Sequence, residues 1–318
     1  MKRLNANTKT LIRWGVAIIL LIPLGYTIYK HWANVRDTFF AANWYSVFLG
    51  TFLLIAAQPI LVLIARVNLK HLGHDLPYKR IFYIYFVSLA AKYLPGGVWG
   101  FPGRVVAYQT IGVKGLAPFI SLIREEGMLF ISAALVGLAG LLDGLRIANW
   151  IRISIALGTF VCIALMLLMQ IPGIWRALGR IEFLNTSGFS EIQLVQENGS
   201  YQWLLRTLLL GLFFWVLIGF GFREMASGVS NLVKDLNGFQ IIGIFALAWC
   251  AGYVIVIAPA GIGIRESVLS ALLASYMPVA QALSIALMAR LWWSIGEAGF
   301  IFLSMLKVSA SGFQTNKG

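Results

Sequence analysis

The sequence predicts an all-α protein, a polytopic transmembrane helical bundle, and its composition and apolar runs carry that prediction. Of the 318 residues, 59% are hydrophobic and only 12% are charged, whereas a soluble domain carries about 25% charged residues. The mean hydropathy of +0.82 agrees. These values exclude a soluble globular enzyme and a disordered chain. A disulfide scaffold is excluded as well, because the chain has only two cysteines.

The apolar runs place about eight crossings along the chain, because a bilayer-spanning helix needs about 20 mostly apolar residues. Basic residues precede the first run and no A-x-A-like cleavage site follows it, so we interpret it as an uncleaved first helix. The last run is either one tilted helix or a short re-entrant piece followed by a span, because Pro278 interrupts it. The predicted spans are 14–29, 44–65, 81–99, 116–142, 153–171, 203–222, 239–258 and 267–306.

Between these spans lies one sizeable polar segment, 172–202, which we predict to be a loop. Apart from this segment the apolar composition is continuous, so residues 1–318 are expected to form a single integral-membrane domain. No appended soluble domain is expected.

The net charge of +13 is interpreted mainly as a signal of membrane topology. If the chain starts inside and crosses at each predicted span, the inside segments hold 14 Lys and Arg residues and the outside segments hold 7. This count places residues 66–80 inside, and Arg104 and Lys114 outside. By the positive-inside rule we expect a plasma (inner) membrane protein with both termini in the cytoplasm. Anionic membrane lipids are then the expected partners, and nucleic acid is not.

Two segments interrupt the apolar pattern in a similar way. Residues 95–104 hold four glycines and two prolines, so a helix cannot continue through them. Residues 257–266, in the second half of the chain, repeat the order of proline, small residues, glycine and arginine. Such a pair in corresponding halves points to the binding site of a transporter. The alternative is two ordinary Gly/Pro loops at span ends.

Each broken segment carries an arginine, an arrangement that suits a phosphate site. Broken helices expose backbone N–H groups that can cradle an anion, and a guanidinium can bind phosphate through two hydrogen bonds. We therefore expect Arg104 and Arg265 to bind a lipid headgroup phosphate. The backbone of the nearby glycines would complete the site, namely Gly96, Gly97, Gly261 and Gly263.

Charged residues inside the apolar runs are a third feature, because a charge at a helix centre costs about 2.5–3.5 kcal/mol on insertion. We expect at most one of Glu125 and Glu126 to be deeply buried. Arg290 and Glu297 are spaced to share one helix face, where they either line a pathway or form an interhelical ion pair. Arg206 is expected to snorkel to the interface. The candidate pathway or ion-pair residues are Arg124, Glu125, Glu126, Glu266, Arg290 and Glu297.

Motifs for an enzyme, a nucleotide-driven motor or a metal site are absent from the sequence. It contains no GxxxxGK[ST], HExxH or GxSxG motif. His71 and His74 lie in a basic loop with Asp75 as the one nearby acid, so a solvated loop is a better interpretation than a metal site. We therefore expect no cofactor, no metal, no enzymatic activity and no ATP-driven step.

Three motifs together resemble a known family. They are residues 93–104, residues 259–266 and Arg124-Glu125-Glu126. Their order and the number of spans resemble the flippase-like domain family, the transmembrane region of lysylphosphatidylglycerol synthases, which also occurs as stand-alone inner-membrane proteins. The resemblance covers roughly residues 10–306. Two positions depart from the family pattern: Ala260 replaces a frequent glycine, and Phe101 follows Gly100 where many members carry an acid.

This resemblance implies translocation of a phosphate-bearing lipid, or of a lipid-linked glycan, without ATP. The aminoacyl-transferring domain of the bifunctional members has no counterpart in the sequence, so lysyl-lipid synthesis is not expected. The first alternative is a non-transporting membrane subunit that recruits or regulates an envelope glycosyltransferase or lipid-modifying enzyme. The second alternative is a secondary transporter of small solutes.

Overall fold

The computed structural model describes residues 40–93, 100–142, 148–168, 202–254 and 263–310. The predicted first span, 14–29, and the predicted polar loop, 172–202 apart from Gln202, lie outside the described residues. Within them the chain forms nine α-helices and two short 3-10 helices, with no strand. The α-helices are α1 (Trp44–His71), α2 (Tyr78–Leu89), α3 (Gly100–Thr110), α4 (Ala117–Leu142), α5 (Asn149–Leu168), α6 (Gln202–Val229), α7 (Gly238–Val254), α8 (Ile264–Leu273) and α9 (Val279–Ala310).

Four of these helices are long and apolar enough to cross a membrane, which confirms the predicted fold class. They are α1, α4, α6 and α9, and two shorter apolar helices, α5 and α7, accompany them. α5 is peripheral and keeps large apolar side chains exposed, such as Trp150, Leu157 and Phe160, as suits a helix that faces lipid. The total of about eight crossings stays a prediction.

Contacts between α1 and α6 define the two ends of the bundle. At one end, the backbone N–H of Asn43 donates to the carbonyl oxygen of Gly228 at 2.8 Å. At the other end, the His71 ring stacks on the Trp203 ring with their centroids 4.9 Å apart. The two helices are therefore antiparallel, and we call these ends the Asn43 end and the His71 end.

The first broken segment enters and leaves the bundle at the His71 end. α2 begins there, shortly after α1 ends. α4 begins there too, because the Arg124 guanidinium in its second turn lies over the Trp203 ring, and only residues 111–116 separate α3 from α4. α2 has 12 residues, which is about 18 Å of helix against a hydrocarbon core of about 30 Å. The α2–α3 pair is therefore re-entrant.

The second broken segment enters from the opposite end. The Ser230 hydroxyl, just after α6, donates to the Gln281 side-chain oxygen in the first turn of α9 at 3.0 Å, so α9 begins at the Asn43 end. α8 ends, and α7 begins, a few residues away from this point. Gly252 of α7 packs against Arg265 of α8, where a Cβ on the glycine would lie 3.2 Å from the arginine Cβ. The α7–α8 pair thus returns to the end at which it entered.

This geometry corrects two expectations from the sequence. The run 81–99 does not form one continuous span, because α2 stops before the Gly/Pro-rich residues and the 3-10 helix Ala90–Tyr93 follows it. Residues 66–80 and Lys114 lie at the same end, although the loop count placed them on opposite sides. The count assumed a crossing at every apolar run, so a segment that returns was counted as one that crosses. Of the two alternatives for run 267–306, a short helix followed by a long one is observed.

Glycines bring α4 and α7 into close backbone contact. A Cβ on Gly140 would lie 2.7 Å from the Cα of Gly243, and a Cβ on Gly243 would lie 2.6 Å from the Cα of Gly140. On the other side of α4, the Trp215 indole N–H of α6 donates to the carbonyl oxygen of Leu129 at 2.9 Å. α4 therefore packs between α6 and α7 and links the two re-entrant pairs, by small-residue contacts that are common between membrane helices.

Candidate functional site

The α2–α3 pair brings Arg104 against Glu125 of α4. An Nη atom of Arg104 lies 2.8 Å from Oε1 of Glu125, and the two side chains are only 5% and 1% exposed. Arg104 is the fifth residue of α3, at the end of the Gly/Pro-rich residues. Glu125 lies roughly 12 Å along the axis of α4 from its start. A buried ion pair thus closes the first re-entrant pair against the long helix that follows it.

Arg104 has further partners on α2. Its Nε donates to Ser88 Oγ at 3.1 Å, and its guanidinium carbon lies 3.9 Å from the centroid of the Tyr85 ring. The ion pair, the hydrogen bond and the cation–π contact together fix the position of the guanidinium. Whether Arg104 binds a phosphate stays a prediction, and its partner in this structure is the carboxylate of Glu125.

The α7–α8 pair carries a corresponding ion pair with the charges exchanged. Nε of Arg290 in α9 lies 3.5 Å from Oε1 of Glu266 in α8, and their side chains are 14% and 12% exposed. Oε2 of Glu266 also accepts a hydrogen bond from the Gly263 backbone N–H at 2.7 Å, which caps the start of α8. Gly263 has a φ of 87°, a conformation that glycine adopts readily and other residues rarely do.

Arg265 lies beside this second pair, between two indole rings. Its guanidinium carbon is 5.8 Å from the Trp249 ring centroid and 5.5 Å from that of Trp293. The Trp293 indole N–H donates to Oε1 of Glu297 at 2.7 Å. A small pocket opens here, with Arg265, Arg290 and Trp293 in its lining. The second ion pair is therefore partly accessible, whereas the first is enclosed.

Another buried arginine lies at the His71 end. Arg124 of α4 is fully buried, and its guanidinium carbon lies 4.5 Å from the Trp203 ring centroid. None of its three side-chain nitrogens has a hydrogen-bond partner in the part of the chain that the structure describes. The next two residues differ from each other, because Glu125 is buried and Glu126 is half-buried. This confirms that only one of the two acids is deeply buried.

The predicted site residues of the two re-entrant pairs have different neighbours. Arg104 lies against Tyr85, Ser88 and Glu125, whereas Arg265 lies over the rings of Trp249 and Trp293. Arg290 forms the interhelical ion pair that the sequence suggested as an alternative, with Glu266 as its partner. Arg206 is exposed, in agreement with a snorkelling side chain. The predicted glycines Gly96, Gly97 and Gly261 lie outside the described residues.

Sequence reasoning missed the aromatic side chains that contact the arginines. Tyr85, Trp203 and Trp249 lie against Arg104, Arg124 and Arg265, respectively. One local signal was available, because Tyr85 and Ser88 are three residues apart and share a face of α2. The Arg124–Trp203 and Arg265–Trp249 contacts each join two different helices, so the pattern within one helix holds no trace of them.

An exposed charge cluster marks the turn between α1 and α2 at the His71 end. Asp75 Oδ2 lies 2.9 Å from the Lys70 ammonium, and Asp75 Oδ1 lies 3.5 Å from the Arg66 guanidinium. The hydrogen bond from Lys70 is the main reason that the pKa of Asp75 lies below its ordinary value. The structure therefore gives Asp75 basic partners from α1. Across the described ranges, no three His, Cys, Asp or Glu side chains are grouped as metal ligands would be.

Comparison with known proteins gives one family. A family model described as the lysylphosphatidylglycerol synthase TM region matches residues 12–293. This range includes both re-entrant pairs and both ion pairs. No curated protein matches the chain.

Proposed function

This chain belongs to the lysylphosphatidylglycerol synthase TM region family, and from that premise we propose that it moves a phosphate-bearing lipid, or a lipid-linked glycan, between the leaflets of the inner membrane. The tails stay in the bilayer while the headgroup passes through the bundle. Because the sequence has no P-loop motif, the movement runs downhill or is coupled to an ion.

The observation that carries this proposal is the entry of the two re-entrant pairs from opposite ends. Discontinuous helices in two oppositely oriented halves are a recurrent design of transporters, whose substrate sites lie where the helices break. Interrupted backbone at membrane depth is stable only where protein buries it or where it lines a wet cavity. Two such breaks therefore support a polar route that can be reached from either leaflet.

The two ion pairs supply a way to open and close that route. Each joins a short helix to the long helix after it, Arg104 with Glu125 and Arg290 with Glu266. A lipid phosphate competes with the carboxylate, because both are oxyanions that can accept two N–H bonds from one guanidinium. In the proposed cycle, an arriving phosphate separates one pair, and its departure lets the pair re-form. The other pair meanwhile keeps the opposite end closed.

Exposed basic residues favour the His71 end as the cytoplasmic one under the positive-inside rule. Lys70, Lys79, Arg80 and Lys114 are exposed at the His71 end, while Lys234 is exposed at the Asn43 end. With this orientation the α2–α3 pair enters the bundle from the cytoplasmic side, and the α7–α8 pair enters it from the opposite side. Anionic lipids of the cytoplasmic leaflet are then the first substrates to test.

The test is leaflet-resolved lipid movement in proteoliposomes that contain the full chain and a panel of fluorescent anionic lipids. Wild type is expected to accelerate the movement of at least one of them. Arg104→Gln and Arg265→Gln should slow it at least about tenfold, the effect of losing one strong charged contact. The matched control is Arg206→Gln, an exposed arginine on α6, which should transport as wild type does.

The two alternatives make different experimental predictions. A recruiting subunit would be inactive with every lipid and would retain an envelope enzyme in pull-down experiments, whatever the residue at position 104. A secondary transporter would take up a soluble substrate into liposomes in an Arg104- and Arg290-dependent manner. Absence of lipid movement by wild type across the whole panel would contradict the proposed function.

A further inference from the structure

We propose that Arg124 is the residue that binds the oxyanion of a phosphate-bearing ligand at the His71 end, with the Trp203 ring as the wall of the site. The inference deepens the proposed function and rests on it for the choice of a lipid phosphate as the first ligand. It adds a phosphate contact at this end beside the Arg104–Glu125 pair, whereas the sequence motif favours Arg104 alone.

The first argument is the state of the Arg124 guanidinium. It is fully buried, yet its Nε and both Nη atoms have no hydrogen-bond partner among the described residues. A buried cation ordinarily has a carboxylate or several acceptors around it, because leaving water without them is costly. The three N–H-bearing nitrogens of Arg124 therefore have donors available for an anion.

The second argument is a comparison with the other buried arginine of the same half. Arg104 already has a carboxylate 2.8 Å away, a hydroxyl acceptor and an aromatic face. A phosphate at Arg104 must displace Glu125 and leave that carboxylate buried without its partner. A phosphate at Arg124 displaces no hydrogen bond. Arg124 therefore has the larger capacity to accept an anion.

The third argument is the position of Arg124 beside the start of α6. Its guanidinium lies over the ring of Trp203, the second residue of this 28-residue helix. The first backbone N–H groups of a helix have no acceptor inside the helix, and its dipole favours negative charge there. An oxyanion next to Arg124 would lie close to these donors. The start of α6 and an unpartnered guanidinium thus point to the same ligand chemistry.

The ligand class follows from the donors. The paired N–H donors of a planar guanidinium match the spacing of phosphate oxygens. The same chemistry is offered by a lipid headgroup and by free phosphate, so the two sources have to be separated by experiment. Because Trp203 and Arg124 lie on membrane helices near one end of the bundle, we expect the lipid to bind more tightly.

The experiment measures ligand-induced stabilisation of the full chain in detergent micelles. Two probes are added in separate titrations: inorganic phosphate, and dihexanoylphosphatidylglycerol below its micelle concentration. Each is expected to raise the Tm of wild type if it occupies the site. A rise with the lipid alone identifies a headgroup site, and an equal rise with inorganic phosphate identifies a free-phosphate site.

The decisive variant is Arg124→Met, which removes the donors and keeps an apolar side chain of similar length. Because it removes a buried cation without acceptors, its Tm without ligand should equal or exceed that of wild type. Its Tm should no longer respond to either probe. Arg124→Lys keeps the charge but loses the paired donors, so its response should be intermediate. Arg206→Met removes an exposed arginine and should respond as wild type does.

Three results would overturn the assignment. They are a wild-type Tm that neither probe changes, a full response that survives in Arg124→Met, and a large loss of Tm in that variant without ligand. The last would show that the guanidinium stabilises the fold. Binding is read here without transport, so the two proposals can fail separately. Lipid movement with an Arg124-independent response rejects the site alone, whereas an Arg124-dependent response without lipid movement rejects the function alone.

Discussion

The two re-entrant pairs differ in how tightly each is closed, although they are built on the same plan. At α2–α3, the carboxylate and guanidinium are 2.8 Å apart and at most 5% exposed. At α7–α8 they are 3.5 Å apart and 12–14% exposed, next to a small pocket. The positions of the two charges are exchanged as well, because the short helix supplies the arginine of the first ion pair and the glutamate of the second.

One plan thus supplies both an enclosed ion pair and a partly accessible one in a single state. Under the proposed function, two equally tight pairs would admit no headgroup and two loose pairs would leak. If the ends exchange these roles during the proposed cycle, the energetic difference between the two pairs sets the balance between the two states.

The largest effect is expected at the closed pair. Glu125→Leu leaves Arg104 buried without its carboxylate and should lower the free energy of unfolding by about 3–5 kcal/mol. The measurement is unfolding by SDS titration in detergent micelles. The double variant Arg104→Met/Glu125→Leu removes both charges and should recover most of this loss, since a buried ion pair replaced by apolar residues is often near neutral. A double variant as unstable as the single one would show that the pair itself stabilises the fold.

A smaller effect on stability is expected where α4 and α7 meet. Gly140→Val adds a side chain whose Cβ would lie 2.7 Å from the Cα of Gly243, so α4 and α7 must separate, at a cost of about 1–3 kcal/mol. Gly158→Val on α5 is the control, because a Cβ there has nothing within 4 Å. SDS titration of both variants checks the prediction. Equal SDS midpoints for the two variants would contradict close packing of α4 against α7.

The partly open pair should matter less for stability than the closed one. Arg290→Gln leaves Glu266 with its Gly263 hydrogen bond and with some access to solvent. We expect a loss of roughly 1–2 kcal/mol, between the values for exposed and for fully buried pairs. The same titration measures it. A loss of unfolding free energy as large as that of Glu125→Leu would show that the two ion pairs matter equally for stability.

The smallest effect concerns the exposed turn that precedes the closed pair. The pKa of Asp75 lies below its ordinary value of 3.8, chiefly because of the Lys70 hydrogen bond. Its contribution to stability is therefore present above that ordinary pKa and is lost as the pH falls through the lower folded-state value. Hydrogen exchange of the amides of residues 72–76, corrected for intrinsic rates, should speed up as the pH falls below about 4. In Asp75→Asn this acid-dependent change should disappear.

The long apolar helices were predictable from the sequence, while the re-entrant geometry and the partners in the ion pairs were not. The run 116–142 matches α4 within one residue, because a bilayer-length apolar stretch without Gly/Pro clusters has one low-energy structure in lipid. The run 203–222 stops short of Val229, since Arg223 and Glu224 ended the apolar count while the helix continued to the end of the bundle.

The sites were predictable only as a list of unusual residues. A charge in an apolar run is visible in the sequence, and Glu125 and Arg290 were identified in this way, whereas Arg104 was identified as the arginine of the first broken segment. Their pairing was not, because Arg104 and Glu125 are 21 residues apart on helices that meet only after the chain turns back. The direction of a Gly/Pro-broken segment depends on tertiary packing, so a count of one crossing for each apolar run placed Lys114 at the opposite end from residues 66–80.

The close approach of Gly140 and Gly243 restricts how α4 and α7 can move relative to each other. Backbones that touch leave no gap for an acyl chain, so a lipid tail cannot enter the bundle between α4 and α7. The contact continues one turn earlier on α4, where a Cβ on Gly137 would lie 2.8 Å from the Leu247 side chain. Separating the two helices would leave an empty space that no neighbouring side chain fills. We therefore expect α4 and α7 to move as one unit.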